Sequence, residues 1–373
     1  MTIEAAVSSD PPRPKEQGFF RRHMGRFIAS GIITVCVIWA LRHSGLELVP
    51  SWKSFAHVRW WTVGAYTIFV AGMTYFRSTR WRFLVRKVAP HVPTTRLLAI
   101  SLVGFGAILL LPFRLGEFVR PAMLREKDKV SFAAATGSVI GERVVDALYL
   151  SLVLAIALIT VPTIQPLPVR VVGVPVTVAQ VRGYAFVTLA VFATVFAIMA
   201  IYFFARGFAH RLTLAVVGRI SRPLGERLAH EAERVTDGLH FLRSGRDAAG
   251  FMFETTLYWG LNALGMWFLA WGCGITHADG SLPTFGEACA MMGMLGVTIL
   301  IPGPPGMLGI FQAGMFCGMT MYYPTALVQE RGAVYACLVF VVQIAWTFLA
   351  ALWALTSGHT SLRALADAEI HHD

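Results

Sequence analysis

Residues 133–161 read AAATGSVIGERVVDALYLSLVLAIALITV. As one helix this stretch is about 43 Å long at 1.5 Å per residue, more than a bilayer's roughly 30 Å hydrocarbon core. Its only charged side chains are Glu142, Arg143 and Asp146. Glu142 lies some 14 Å along the axis, near the midplane if the helix spans. A charge there costs about 2.5–3.5 kcal/mol, so it is kept where it pairs or lines a wet cavity. Ser138, Glu142, Asp146 and Tyr149 fall on one stripe. Glu142 and Asp146 repel as like charges at i, i+4 and need a cation between them. Arg143 reaches Asp146 at i+3, and Arg114, upstream, is a natural second partner. Gly137 and Gly141 form a small-residue face that admits another element closely.

Outward from this helix the chain keeps the same character. Hydrophobic residues make up 56% of the 373 and charged residues 14%, against about 25% in a soluble domain. Full spans are predicted at 27–41, 60–76, 133–161, 183–205, 250–272 and 333–356. Two shorter apolar segments, 97–111 and 285–301, each run into a Pro/Gly motif and a short second arm. About 26 mostly polar residues precede the first span, with no A-x-A-like cleavage site, so that span reads as an uncleaved anchor. The five cysteines are scattered without a C-x-x-C, which supports neither a disulfide framework nor a zinc site. No GxxxxGK[ST], HExxH, GxSxG or GxGxxG pattern occurs. The net charge of +11 is explained by basic cytoplasmic loops rather than by nucleic acid.

The Lys and Arg positions set the topology. With the N-terminus cytoplasmic, residues 1–26, 77–96, 120–130, 206–248 and the tail carry 24 basic residues, and the opposite connections carry 6. Both 77–96 and 120–130 are then inside, so the segment between them enters and leaves on one face. The same reasoning makes 285–322 dip in from the outside. The expected fold is all-α and polytopic: six full transmembrane helices plus two oppositely oriented re-entrant hairpins. Around the 27–356 transmembrane domain lie a cytoplasmic segment 1–26 and a cytoplasmic tail 357–373. Within it, 206–248 reads as amphipathic helices at headgroup level or as a solvated connector.

A second charged group follows the first Pro-containing break: Arg114, Glu117 and Arg120 at i, i+3, i+6, beside Pro112 and Gly116. Irregular backbone at membrane depth survives only where protein or a water-filled cavity covers it. Two readings of the combined charges are open: buried ion pairs that fix helix packing, or a polar cavity for an ion or lipid headgroup. Glu254 and Glu287 are lone acids in other spans. The stretch Pro302-Gly303-Pro304-Pro305-Gly306 reads as a hinge, as a tight turn, or as a backbone-lined ion or phosphate site using a helix start near Leu308. Two oppositely inserted broken segments suit an inverted-repeat transporter with its site near the midplane.

Three motifs in this order resemble the lysylphosphatidylglycerol synthase transmembrane-region family, also called flippase-like. They are Leu111-Pro112-Phe113-Arg114-Leu115-Gly116-Glu117-Phe118-Val119-Arg120, then Glu142-Arg143-Val144-Val145-Asp146, then Pro302-Gly303-Pro304-Pro305-Gly306-Met307-Leu308-Gly309. Arg77-Ser78-Thr79-Arg80-Trp81 is similar to the family's basic-aromatic element. The chain departs from the pattern at Gln312, where an acid is frequent. The resemblance implies a multi-pass protein of a bacterial or archaeal cell membrane, in a family whose best-studied members translocate an aminoacylated phospholipid. It does not carry over the synthase activity, because the soluble aminoacyltransferase domain is not expected in this sequence.

The reading is therefore a lipid flippase or transporter moving a polar-headed lipid between leaflets. Arg114, Arg120 and Arg143 are expected on a phosphate-like anion. Glu117, Glu142 and Asp146 are expected to orient them or to bind a cationic headgroup. Pro112, Gly116, Pro302, Gly303 and Gly306 form the hinge or backbone site. No catalytic residue, metal or cofactor is expected. Membrane lipids are the partners, with a homo-oligomer or a separate lipid-modifying enzyme as further ones. The alternatives are an ion-coupled small-solute transporter, a membrane-embedded enzyme on a lipid-linked substrate, and a non-catalytic membrane subunit.

Overall fold

The long apolar runs become helices because a backbone without water partners must satisfy its own N–H and C=O groups. The computed structural model describes residues 50–86, 88–164, 244–299 and 305–357, most of 205–227, and scattered positions in 28–39 and 183–201. Every regular element among them is helical. The segment 1–26, nearly all of the tail 357–373, much of the spans 27–41 and 183–205, and Pro302 and Gly303 lie outside the described residues.

We number the helices in chain order. Helix α1 is Trp60–Thr79, α2 is Trp81–Val85 and α3 is Thr94–Leu110. A 3-10 turn, Pro112–Phe118, leads into α4, Val119–Asp128, and α5 is Phe132–Thr160. Then come α6 (Arg206–Val216), α7 (Gly245–Gly272), α8 (Phe285–Thr298) and α9 (Ile310–Met319). The last, α10, is Thr325–Thr356, with a π-helical turn at Val328–Gly332.

Among the described residues, two helices are long and apolar enough to cross a bilayer by length and composition: α5, with a mean hydropathy of 2.0, and α10, with 2.2. Both expose apolar stripes. On α10 these are Val341, Phe348, Leu349, Leu352 and Trp353; on α5 they are Leu152, Ile156 and Ile159. Such spacing puts one face of each helix outward, against whatever apolar medium surrounds the bundle.

The two broken segments are hairpins. Helix α3 contacts the Pro112–Phe118 turn and α4, which fold back along it. A Cβ on Gly116 would stand 2.2 Å from the Ile108 backbone nitrogen, so only glycine lets the turn lie this close to α3. In the second hairpin α8 packs on α9, and Cβ atoms on Gly314 and Gly318 would meet Leu295 and Met291 Cα at 3.2 and 2.9 Å. The α9 helix begins at Ile310, two residues later than the expected start near Leu308. Its entry runs through left-handed backbone at Gly306 (φ 68°), Met307 (φ 54°) and Gly309 (φ 86°). The Gln312 carboxamide oxygen accepts from the Gly309 N–H at 2.7 Å and caps that entry.

The interior is layered. One apolar cluster gathers Trp81, Leu84, Ile100, Leu124, Val145 and Phe251. The other gathers Tyr66, Met73, Leu150, Leu154, Tyr258, Met291 and Phe316. Along α5 the chain passes from the first cluster (Val144, Val145) to the second (Leu150), and Asp146 lies between. The same changeover occurs on α7 between Phe251 and Tyr258, across Glu254 and Thr255. From α1 into α2 it falls between Met73 and Trp81, across Arg77 and Arg80. A polar layer therefore crosses the bundle between two apolar ones.

Candidate functional site

That layer is built on one carboxylate. Glu142 is fully buried and three arginines surround it. Its Oε2 accepts from Arg120 Nη1 at 2.8 Å. Its Oε1 accepts from Arg80 Nη2 at 3.1 Å and from Arg143 Nη2. Asp146, one turn along, takes both arms of the Arg80 guanidinium: Nη1 to Oδ1 at 2.7 Å and Nη2 to Oδ2 at 2.6 Å. Trp259 Nε1 donates to the same Oδ1 at 3.2 Å. Fork-to-fork geometry of this kind is among the stronger charge-assisted pairings. Arg80 Nη1 also donates to Thr255 Oγ1 at 3.2 Å.

The cation between Glu142 and Asp146 is thus Arg80, with Arg143 beside it, and not Arg114 as expected from the hairpin. Arg114 turns to Glu117, 3.5 Å away, and to the Ile299 carbonyl at 3.5 Å. It holds a left-handed φ of 60°, a conformation costly for a side-chain-bearing residue. Glu117 also lies 3.4 Å from Arg120 and 3.9 Å from Arg143. Arg143 meets Asp146 at 3.5 Å, the i+3 contact expected from the helix. The buried arginines use aromatic faces as well. Arg120 sits 5.1 Å from the rings of Trp81 and Phe105, and Arg80 sits 4.9 Å from Tyr258. Gly104 makes room for the Arg120 stem, because a Cβ there would stand 2.4 Å from Arg120 Cγ.

A cavity of about 180 Å³ opens against this layer. Arg77, Arg114, Arg143 and Asp146 are the charged residues on its wall, and Asn262, Gln343, Thr347, Tyr258 and Trp259 add polar groups. The rest is apolar, including Ile108, Leu109, Leu295, Phe311, Phe340 and Ile344. Gly306 also lines it. Of the six charged candidates from the sequence, Arg114, Arg143 and Asp146 face the cavity. Glu117, Arg120 and Glu142 stand behind it and hold the arginines in place. Among the described residues, no cluster of three or more His, Cys, Asp or Glu side chains is placed to hold a metal.

The two lone acids belong to other arrangements. Glu254 pairs with Arg82 and accepts from Thr79 Oγ1 at 2.7 Å. Glu287 closes a capping box with Thr284, accepts from the Tyr323 hydroxyl at 2.5 Å, and lies 3.2 Å from His277 Nε2. Neither lines the cavity.

The charge count places two site residues elsewhere. It puts Arg77 and Arg80 in a loop starting at residue 77, because an arginine pair ends an apolar run. Helix α1 instead continues to Thr79, and Arg80 has no exposure at all. The available signal was their i, i+3 spacing in Arg77-Ser78-Thr79-Arg80-Trp81. Arg120 was also counted inside. Removing the three leaves 21 basic residues against 6, so the asymmetry that orients the chain persists.

The sequence model of the family described as lysylphosphatidylglycerol synthase TM region matches residues 26–355, and no aminoacyltransferase domain is found. Comparison with curated proteins and with solved structures gave no match.

Proposed function

Since the chain belongs to the lysylphosphatidylglycerol synthase transmembrane-region family, an integral membrane family, we propose that it moves a polar-headed lipid between leaflets through the charged cavity. The observation that carries this reading is a single cavity with two chemistries. Its lining combines the guanidinium groups of Arg77, Arg114 and Arg143 with apolar side chains that include Leu109, Leu295, Phe311 and Ile344. A small soluble anion has no use for the apolar lining. A lipid uses both, its headgroup on the guanidinium groups and its chain along the aliphatic side chains.

The proposed topology is six full spans and two re-entrant hairpins of opposite orientation, with both termini in the cytoplasm of a bacterial or archaeal cell. Helix α3 has 17 residues and reaches about 25 Å, short of a roughly 30 Å core, and α8 has 14. Single cysteines at the exposed positions Arg125 and Ala278 should label from opposite sides of the membrane. Labelling from one side removes the opposed hairpins.

Transport is tested by reconstitution. Protein in liposomes should speed movement of a fluorescent phospholipid between leaflets, and Arg143→Ala should slow it at least tenfold. Unchanged lipid movement in folded Arg143→Ala protein would overturn the assignment. Glu142→Gln tests the supporting frame, since Glu142 holds three of the five arginines.

A further inference from the structure

We propose that the cavity selects a lipid with a terminal phosphate monoester, and rejects zwitterionic and cationic headgroups. That the ligand is a lipid rests on the transport reading; its charge does not.

The charges of the polar layer do not balance. Among the described residues, five guanidinium groups (Arg77, Arg80, Arg114, Arg120, Arg143) meet three carboxylates (Glu117, Glu142, Asp146), a surplus of two positive charges. The nearby acids Glu254 and Asp247 do not redress it, because they pair with Arg82 and Arg86. Residues 300–304, which follow Ile299 in the sequence, are Leu-Ile-Pro-Gly-Pro and carry no charge. Two uncompensated charges at membrane depth are costly unless an anion completes them.

The surplus is on the cavity side. Arg80 and Arg120 have no exposure and are committed to carboxylates. Arg77 has neither an ion pair nor a hydrogen bond among the described residues. It is held by ring faces, 3.9 Å from Phe105 and 5.7 Å from Tyr258. The Nε atoms of all five arginines are buried without a hydrogen-bond partner, on Arg77, Arg114 and Arg143 at the cavity as on Arg80 and Arg120 behind it. Arg114 and Arg143 both lie within 3.9 Å of Glu117 Oε1, so their guanidinium groups converge.

The cavity has no acid left for an ammonium group. Among the described residues Asp146 is its only carboxylate, and both its oxygens are taken by Arg80, one of them by Trp259 as well. A phosphate monoester carries about −1.5 to −2 charges and three terminal oxygens. That matches the surplus in charge and the three cavity arginines in number. A phosphodiester supplies one charge and two free oxygens. Size points the same way: at about 180 Å³ the cavity is below the roughly 300–1,000 Å³ of drug-sized pockets. It holds a bare phosphate with the start of a chain rather than a large headgroup.

The test is native mass spectrometry of the full chain in detergent, titrated with phosphatidate, phosphatidylglycerol, phosphatidylethanolamine and lysyl-phosphatidylglycerol of matched chains. Phosphatidate should bind at least tenfold more tightly than the diester, and the zwitterionic and cationic lipids more weakly still. Arg77→Gln should reduce that preference to about twofold while leaving the melting temperature unchanged; Arg114→Gln is a second variant with the same effect on the preference. Equal or tighter binding of phosphatidylethanolamine or lysyl-phosphatidylglycerol overturns the proposal, as does a preference that survives both substitutions. Inorganic phosphate should not displace phosphatidate at equal concentration; if it does, the site is one for free phosphate and the lipid assignment falls. Phosphatidate preference without lipid movement in liposomes keeps this inference and removes the transport reading. Movement without anion preference does the reverse.

Discussion

Arg77 and Arg80 stand three residues apart at the end of one helix, and replacing each by methionine should have opposite consequences. Arg80→Met removes two bonds to Asp146, one to Glu142 and one to Thr255, all in the buried layer. Asp146 keeps Trp259 and the longer Arg143 contact, and Glu142 keeps Arg120 and Arg143. Because the acids are not wholly stripped, the cost belongs at the lower end of the range for breaking a buried pair, about 3 kcal/mol. Arg77→Met breaks no ion pair and no hydrogen bond, and it lowers the surplus charge from two to one. Methionine can still pack against Phe105. Its effect on stability is expected to be neutral or favourable by up to about 1 kcal/mol. At about 2.1 cal/mol/K of unfolding entropy per residue, 373 residues give roughly 1–1.5 °C per kcal/mol, so Arg80→Met should melt about 3–5 °C below the unaltered protein. Arg77→Met should melt at or slightly above it. Tryptophan fluorescence during heating in detergent reports both, with the ten tryptophans as the signal. Adding Asp146→Asn to Arg80→Met should cost less than the sum of the two single changes, because each removes the other's partner. Equal destabilisation by Arg77→Met and Arg80→Met would refute the division between cavity arginine and structural arginine.

Other expectations follow from close contacts. Gly116→Ala should destabilise the first hairpin by more than about 3 kcal/mol, because its Cβ would fall on α3 backbone rather than on a flexible side chain; detergent-stable yield and melting temperature check it. Gly104→Ala meets only the Arg120 stem and should cost about 1–3 kcal/mol, with slowed lipid movement as Arg120 shifts from Glu142. Tyr323→Phe removes the hydroxyl donor to Glu287 and should cost about 1.5–3 kcal/mol in the same melting assay, leaving lipid binding intact because Tyr323 does not line the cavity.

The helices were legible because their signal is local. Apolar runs of bilayer length gave 60–76, 133–161, 250–272 and 333–356, and the structure has helices at Trp60–Thr79, Phe132–Thr160, Gly245–Gly272 and Thr325–Thr356. The first hairpin was legible too. Basic residues on both of its flanks demanded a return, and Pro112 and Gly116 marked where the chain turns. Within the charged layer, Glu142, Arg143 and Asp146 could be named because charge inside an apolar run is conspicuous.

Which cation served those acids was not legible, and Arg80 shows why. By hydropathy Arg80 and Arg86 are equivalent, two arginines beyond the end of an apolar run. Arg80 has no exposed side-chain surface, whereas 62% of the Arg86 side chain is exposed. What separates them is the supply of acceptors. Arg80 lies opposite two carboxylates one turn apart on α5, more than 60 residues away, and can fill both with one fork. Arg86 has a single distant acid, Asp247 at 3.5 Å, and keeps its water. An arginine is drawn into a buried layer when its desolvation is offset by paired acids on another helix, so the cost and the compensation sit on separate segments of sequence. A rule that scores each segment alone marks such a residue as loop. The remedy is also physical: Glu142 and Asp146 repel at i, i+4, which requires a cation, and Arg143 alone leaves the pair one charge short. Within reach of α5 the sequence offered Arg77, Arg80, Arg114 and Arg120. Only a fork at the level of both acids serves both, and among these four only Arg80 bonds to both.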